Sequence, residues 1–316
     1  MKKILALLLA MGLIFSVGCG GEKNAAKPEA SQKIVLGLLP DTDSLPFLVA
    51  EEKGYFAEEG IAVELESFKS AMDRDAALQS GNLDGAISDM LAAAFAREGG
   101  FNVKITSSTD GNYVLTTAPG EAATSAKELK GKEIAVSKNT IIEYVTDRIL
   151  ARENMAESDV EKVIIPQIPT RLEMLQSDKL AAATLPEPMA TVAKAAGCHQ
   201  VASAEEMKIN PGVLLFTEKS LKEKEKEIKA LYRAYNKAAE YLNRAPREEY
   251  VKLAIEKGGF PPKVESALTL PKYRDAVLPQ ADDLTACLAW LKEKNLIKAD
   301  YTFEEMTADI LSDAKK

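Results

Sequence analysis

Side chains able to hold or transform a ligand gather in five short stretches, each following a run that reads as a β-strand. Asp41, Asp43 and Ser44 follow the apolar run 33–39. Ser70 follows the alternating run 61–65, and Ser88 with Asp89 ends the run that begins at Gly85. Lys138, Asn139 and Thr140 follow 133–137, and Glu187 stands between Pro186 and Pro188. In open α/β sheets, ligands bind beyond the carboxyl ends of the strands, where helix N-termini point N–H groups outward. These ten residues are therefore the candidate ligand contacts.

Acids dominate the same loops: Asp41, Asp43, Asp89, Asp110 and Glu187 stand against Lys69 and Lys138. Buried carboxylates repel an anion and accept strong hydrogen bonds from an amine or ring N–H. The pattern favours a ligand that donates hydrogen bonds, such as an amine or an aminopyrimidine. Phe47, Phe68, Tyr113 and Tyr144 offer stacking faces. Asp89 and Asp110 serve equally well as helix N-caps. Glu187 is the sharpest single candidate, because two fixed proline φ angles hold it stiffly. The competing role for Glu187 is to cap a helix starting at Pro188.

Composition excludes several other chemistries. The chain has one histidine, His199, which rules against a multi-His metal site and against Ser–His or Cys–His catalysis. No metal and no cofactor is expected. Net charge is −8, with no basic stripe interleaved with aromatics, so nucleic acid is not a partner. Of the three cysteines, Cys198 and Cys287 fall in different predicted lobes and are expected as unpaired thiols. At 316 residues, 28% charged and 46% apolar, the chain has the length for two globular domains.

One stretch occurs twice. Residues 74–89 and 171–186 align with Arg74 on Arg171, Leu78-Gln79-Ser80 on Leu175-Gln176-Ser177, Leu83 on Leu180 and Ala86 on Ala183. Each copy reads as a helix, a tight turn and a short strand. A repeat this long is one small α/β lobe rather than a solenoid unit. The spacing predicts lobe one from 34–115 plus 213–316 and lobe two from 116–212, with crossings at 113–118 and 213–217. One long helix is expected over 220–245, opened by a capping box from Ser220 to Glu223.

The N-terminus has its own logic. Met1-Lys2-Lys3 is basic, and 4–17 is an apolar run too short to span a bilayer comfortably. It ends Ser16-Val17-Gly18-Cys19-Gly20. This resembles a bacterial lipoprotein signal, although Ser16 replaces the usual apolar residue three before the cysteine. The resemblance implies a signal peptide at 1–18 and a lipid on Cys19. Residues 19–32 read as a flexible tether.

A further resemblance rests on Glu51-Glu52-Lys53-Gly54-Tyr55-Phe56-Ala57-Glu58-Glu59-Gly60-Ile61, on Leu78-Gln79-Ser80-Gly81 with Asp84-Gly85-Ala86, and on 128–136. Together they resemble the solute-binding proteins of ABC importers that serve nitrate, taurine, aliphatic sulfonates and thiamine-pyrimidine precursors. The resemblance implies a two-lobed α/β fold of the periplasmic-binding-protein type II, with a ligand cleft between the lobes. It implies a non-enzymatic, extracytoplasmic, lipid-anchored monomer that captures a small molecule and works with an ABC permease and ATPase. Within the family the alternative ligand is a sulfonate-, taurine- or nitrate-type anion. Outside it stand a cytoplasmic thiamine or menaquinone biosynthetic enzyme of the same fold, and a sensor lipoprotein.

Overall fold

The structure, a computed structural model, describes residues 32–312, which lie in one compact unit. The expected signal peptide, Cys19 and nearly all of the tether lie outside the described residues.

Two five-stranded sheets share one plan. The first holds β1 (Ile34–Leu38), β2 (Val63–Ser67), β3 (Gly85–Asp89), β4 (Val103–Ser108) and β10 (Gly212–Thr217) in the order β2-β1-β3-β10-β4. The second holds β5 (Tyr113–Thr117), β6 (Glu133–Val136), β7 (Glu161–Ile164), β8 (Ala182–Pro186) and β9 (His199–Ser203) in the order β7-β6-β8-β5-β9. In each, three parallel strands meet an antiparallel strand at the fourth place. The central β3, β5 and β8 are buried throughout, as nearly continuous apolar runs should be, whereas edge strands β2 and β7 are partly wet.

The two copies of the repeat occupy equivalent places. Helices Ala71–Gln79 and Ile168–Gln176 lead into β3 and β8, each the third strand of its sheet. The crossings differ from expectation. The runs at 113–118 and 213–217 form β5 and β10, each hydrogen-bonded on both sides. Their apolar side chains are buried only inside a sheet, so the chain instead crosses between the sheets at 109–112 and again between β9 and β10.

The single helix expected over 220–245 is two helices, Glu218–Glu223 and Glu225–Leu242. Thr217 caps the first by accepting the Ser220 N–H at 3.0 Å, and no capping box forms at Ser220. The Ser220 hydroxyl instead donates to Asp84 at 2.8 Å, and Lys224 at the break pairs with Asp84 at 2.7 Å.

Cys198 and Cys287 are buried free thiols. Trp290 packs edge-on against Tyr144, ring centres 5.7 Å apart, and its indole N–H donates to Asp147 at 3.1 Å. Glu143, Asp147 and Glu157 form a carboxylate cluster, but Lys162 and Lys294 ion-pair with all three. Those lysines tie the helix Ala281–Glu293 region to the helix Ile141–Arg152.

Gly85 lets β3 lie close to β10. A Cβ there would stand 2.5 Å from the Leu215 carbonyl oxygen and 2.5 Å from the Phe216 ring. We expect Gly85→Ala to lower unfolding free energy by about 1–3 kcal/mol, the usual range for overpacking. Urea denaturation checks this through a lower midpoint at unchanged slope.

Candidate functional site

A narrow cavity lies where the carboxyl ends of β1, β3, β6, β7 and β8 converge. Its atom-free volume, counted out to its opening, is about 440 Å³. The first sheet's side contributes Leu39, Asp41, Ala71, Arg74, Ile87, Ser88 and Asp89. Across from them stand Tyr113, Ser137, Thr140, Ile141, Ile142, Pro166, Ile168, Arg171 and Pro186.

Four of the ten candidates line this cavity: Asp41, Ser88, Asp89 and Thr140. Asp41 Oδ1 accepts both the N–H and the hydroxyl of Ser44, at 3.1 and 3.0 Å. Burial and the neighbouring Asp43 charge push the Asp41 carboxyl well above its ordinary pKa. Asp89 is the N-cap of helix Met90–Glu98, accepting the Ala92 N–H at 2.8 Å. Its second oxygen accepts the Ile141 N–H at 3.4 Å from the opposite side. Burial raises the Asp89 pKa, and the Arg74 charge pulls it back. Thr140 caps helix Ile141–Arg152 through the Ile142 N–H at 3.2 Å.

The other six stand outside the cavity lining. Ser44 supports Asp41 and accepts the Leu39 N–H at 3.2 Å. Ser70 caps helix Ala71–Gln79 through the Asp73 N–H at 3.1 Å. Lys138 is exposed. Asn139 adopts a left-handed conformation and donates its N–H to Glu143 at 2.7 Å. The half-buried Glu187 accepts the Thr191 N–H at 3.0 Å, so its carboxylate serves the helix Met189–Ala195 as a cap.

Asp43 grips the first crossing. Its Oδ2 accepts the Tyr113 hydroxyl at 3.1 Å, and Gly111 approaches so closely that a Cβ there would lie 2.4 Å from the same oxygen. Asp110, expected as a possible cap, has no helix to cap and pairs with Arg274 at 2.5 Å. Among the four aromatic candidates, Tyr113 alone lines the cavity. Phe47 packs on Tyr235 at 5.1 Å and Tyr144 on Trp290.

Sequence reasoning missed the two cations. Arg74 and Arg171 are buried to within 1% of complete and both line the cavity. Arg74 Nη1 donates to the Ile87 carbonyl and Arg171 Nε to the Thr184 carbonyl, each at 2.9 Å and each thirteen residues on. The signal was in the repeat, where Arg74 aligns with Arg171; an apolar pattern alone would not demand that match.

The cleft is closed along a seam of direct bonds. Thr42 N–H donates to the Glu187 carbonyl at 2.9 Å, and Ile168 N–H to the Lys69 carbonyl at 3.0 Å. Gln167 donates its amide to Asp73 at 2.9 Å.

Two similar sheets, joined by two crossings and enclosing a cavity at their strand ends, define the two-lobed periplasmic-binding-protein-like fold of type II. A family model described as NMT1/THI5 like matches residues 41–249, and the chain belongs to that family. Comparison with curated proteins finds no match. Among solved structures, the alkanesulfonate-binding protein SsuA from Xanthomonas axonopodis pv. citri, bound to MOPS, superposes with a TM-score of 0.75 at 15% identity. That match covers 89% of this chain and 100% of the other. The ligand-binding component of an ABC-type import system from Staphylococcus aureus, with zinc bound, gives 0.74 at 15% identity, over 90% and 99% of the chains. The periplasmic nitrate-binding protein NrtA from Synechocystis PCC 6803 gives 0.71 at 14%, over 90% and 85%.

Burial, with the nearby Asp110 charge, raises the Asp43 pKa from 3.8 to about 6. A carboxyl raised on folding binds its proton more tightly in the folded chain. Its stabilising contribution is complete below its unfolded pKa and is lost as pH rises through about 6. Asp43→Asn removes that loss. Relative to wild type, the variant should gain on the order of 2–3 kcal/mol between pH 4 and pH 7.5. Denaturation at the two pH values measures the gain; an equal difference at both would show that Asp43 carries no such burden.

Proposed function

We propose that this chain is the extracytoplasmic solute-binding lipoprotein of an ABC importer, capturing a small organic molecule by hinge closure. The observation that carries the reading is the cavity at the strand ends of two equivalent sheets joined by two chain crossings. The lobes would be the sheets themselves, hinged at 109–112 and near 208–211, which moves the boundaries slightly from those expected. The seam bonds across Thr42–Glu187 and Lys69–Ile168 belong to the closed form. Solute contacts from both lobes would add to them and shift the balance toward closure. An ABC permease and its ATPase would then read loaded protein by shape.

Family membership supports this role, as do one neighbour named as the ligand-binding component of an ABC-type import system and another named as an alkanesulfonate-binding protein. The cavity lining contains no histidine and no cysteine, and its two arginines are held by backbone carbonyls. That favours a binder over an enzyme. Asp41, with one oxygen occupied by Ser44, favours a solute that carries an N–H donor. The protein would act as a monomer, held at the membrane through Cys19.

Two experiments test the reading. Cys19→Ala should move the protein from the membrane fraction to the soluble fraction; unchanged fractionation would sink the lipoprotein assignment. Purified protein, stripped of solute by unfolding and refolding, should be screened by thermal shift against amines, heterocycles, sulfonates and amino acids. A solute present at about 100 times its Kd should stabilise the fold by about 2.7 kcal/mol. Small-angle scattering should show the same solute compacting the protein. A solute that binds without compaction would remove the hinge, and a screen with no hit would count against capture.

A further inference from the structure

The repeat sets two arginines in equivalent places, but their charges meet different surroundings. Arg74 Nε and Nη2 both donate to Asp75, at 2.9 and 2.7 Å. The residue after Arg171 is Leu172, so that partner is missing. Arg171 spends Nε on the Thr184 carbonyl and Nη1 on the Ile165 carbonyl, at 2.9 and 2.7 Å. Its Nη2 is buried without a partner, and Arg171 enters no salt bridge among the described residues. A buried cation with no counter-charge is costly, and the cost falls when a ligand supplies one.

Ser88 Oγ is the other buried polar side-chain atom of the lining that lacks a partner. Several helix N-terminal groups around the cavity are already taken by the protein. Ser70 takes the Asp73 N–H, Thr140 that of Ile142, Asp89 that of Ile141, and the Lys69 carbonyl that of Ile168. The buried side-chain donors of the lining left without a partner are Arg171 Nη2 and Ser88 Oγ. On the first-sheet side, Asp41 keeps Oδ2 for a donor, because Ser44 occupies Oδ1 alone.

We propose that the solute is dipolar, a small amino-acid-like molecule whose carboxylate lies on Arg171 Nη2 and Ser88 Oγ and whose protonated amine lies on Asp41. This rests on the solute-capture reading above and names the class of solute for that site. Two carboxylate oxygens match two free donors. A bare anion would leave Asp41 buried and unanswered, and a bare amine would do the same to Arg171. The narrow cavity favours a short chain between the two charged ends.

The test is calorimetry on stripped protein with short α- and ω-amino acids, each beside its deaminated acid and its decarboxylated amine. At least one amino acid should bind roughly 100-fold tighter than both of its one-ended relatives, since each relative leaves one buried polar group of the site unanswered. Ser88→Ala breaks no bond within the protein, so it should fold as wild type. It should weaken the amino acid about 5- to 20-fold and leave the matching amine unchanged. Asp41→Asn should weaken the amino acid and leave the deaminated acid unchanged.

An amine or an acid that binds as tightly as its amino acid overturns the proposal. So does an unchanged amino-acid affinity in Ser88→Ala. If no amino acid binds while another compound in the wider screen does, the dipolar assignment fails and solute capture stands. If nothing in either set binds, both fail.

Discussion

A guanidinium buried at the base of a helix, donating to a carbonyl near the end of the following strand, sets the geometry of both halves. The bond from Arg74 to Ile87 fixes helix Ala71–Gln79 to β3, and the bond from Arg171 to Thr184 fixes helix Ile168–Gln176 to β8. Each strand then ends at the cavity, β3 with Ser88 and Asp89 and β8 with Pro186. Burying a cation costs free energy, and bonds to carbonyls recover part of it. The neighbouring strand also makes room: a Cβ at Gly37 would lie 2.6 Å from Leu83 and 3.3 Å from Arg74. Site and fold are thus held by the same side chains, so the strand ends cannot drift independently of the helices behind them.

With the strand ends fixed, the seam between the halves becomes specific. Backbone groups of Thr42 and Ile168 find carbonyls on the opposite side, and Gln167 finds Asp73. Several such bonds in series need the two sheets in one relative position. Asp43 adds a tie at the crossing, where Tyr113 and Gly111 both approach its Oδ2. The cavity left inside is narrow because the seam brings the walls together.

Much of the architecture was legible in the sequence because strand burial and helix caps leave local marks. The apolar runs became β1, β3, β5, β6 and β8, and Asp89 does cap a helix as expected. The repeat located two equivalent helix–strand units. What failed were judgements that depend on distant partners. The runs at 113–118 and 213–217 are apolar enough for either a crossing or a central strand, and only pairing across the sheets decides between them. The break at Lys224 follows from Asp84, 140 residues away, which no local pattern announces. In the site, polar loop residues drew attention, yet the hydroxyls of Ser44 and Ser70 serve the backbone. The arginines were passed over because their positions lie inside helices, where a cation usually faces water.

Asp89 shows why acids near helix ends are poor evidence of a ligand on their own. One oxygen closes helix Met90–Glu98 and the other reaches the first N–H of helix Ile141–Arg152 on the opposite side. A single carboxylate thereby serves two positive helix ends, one from each half, and the second contact forms only when the halves meet. Burial raises its proton affinity while the Arg74 charge lowers it, so the strut depends on the arginine that also ties β3 to its helix. This cavity-lining carboxylate also ties the two halves together. Asp41 differs, because Ser44 occupies only one of its oxygens and no described residue of the second half hydrogen-bonds to its carboxyl. The number of partners a buried carboxylate already has, rather than its place in a loop, separates the group bonded across both halves from the group bonded within one.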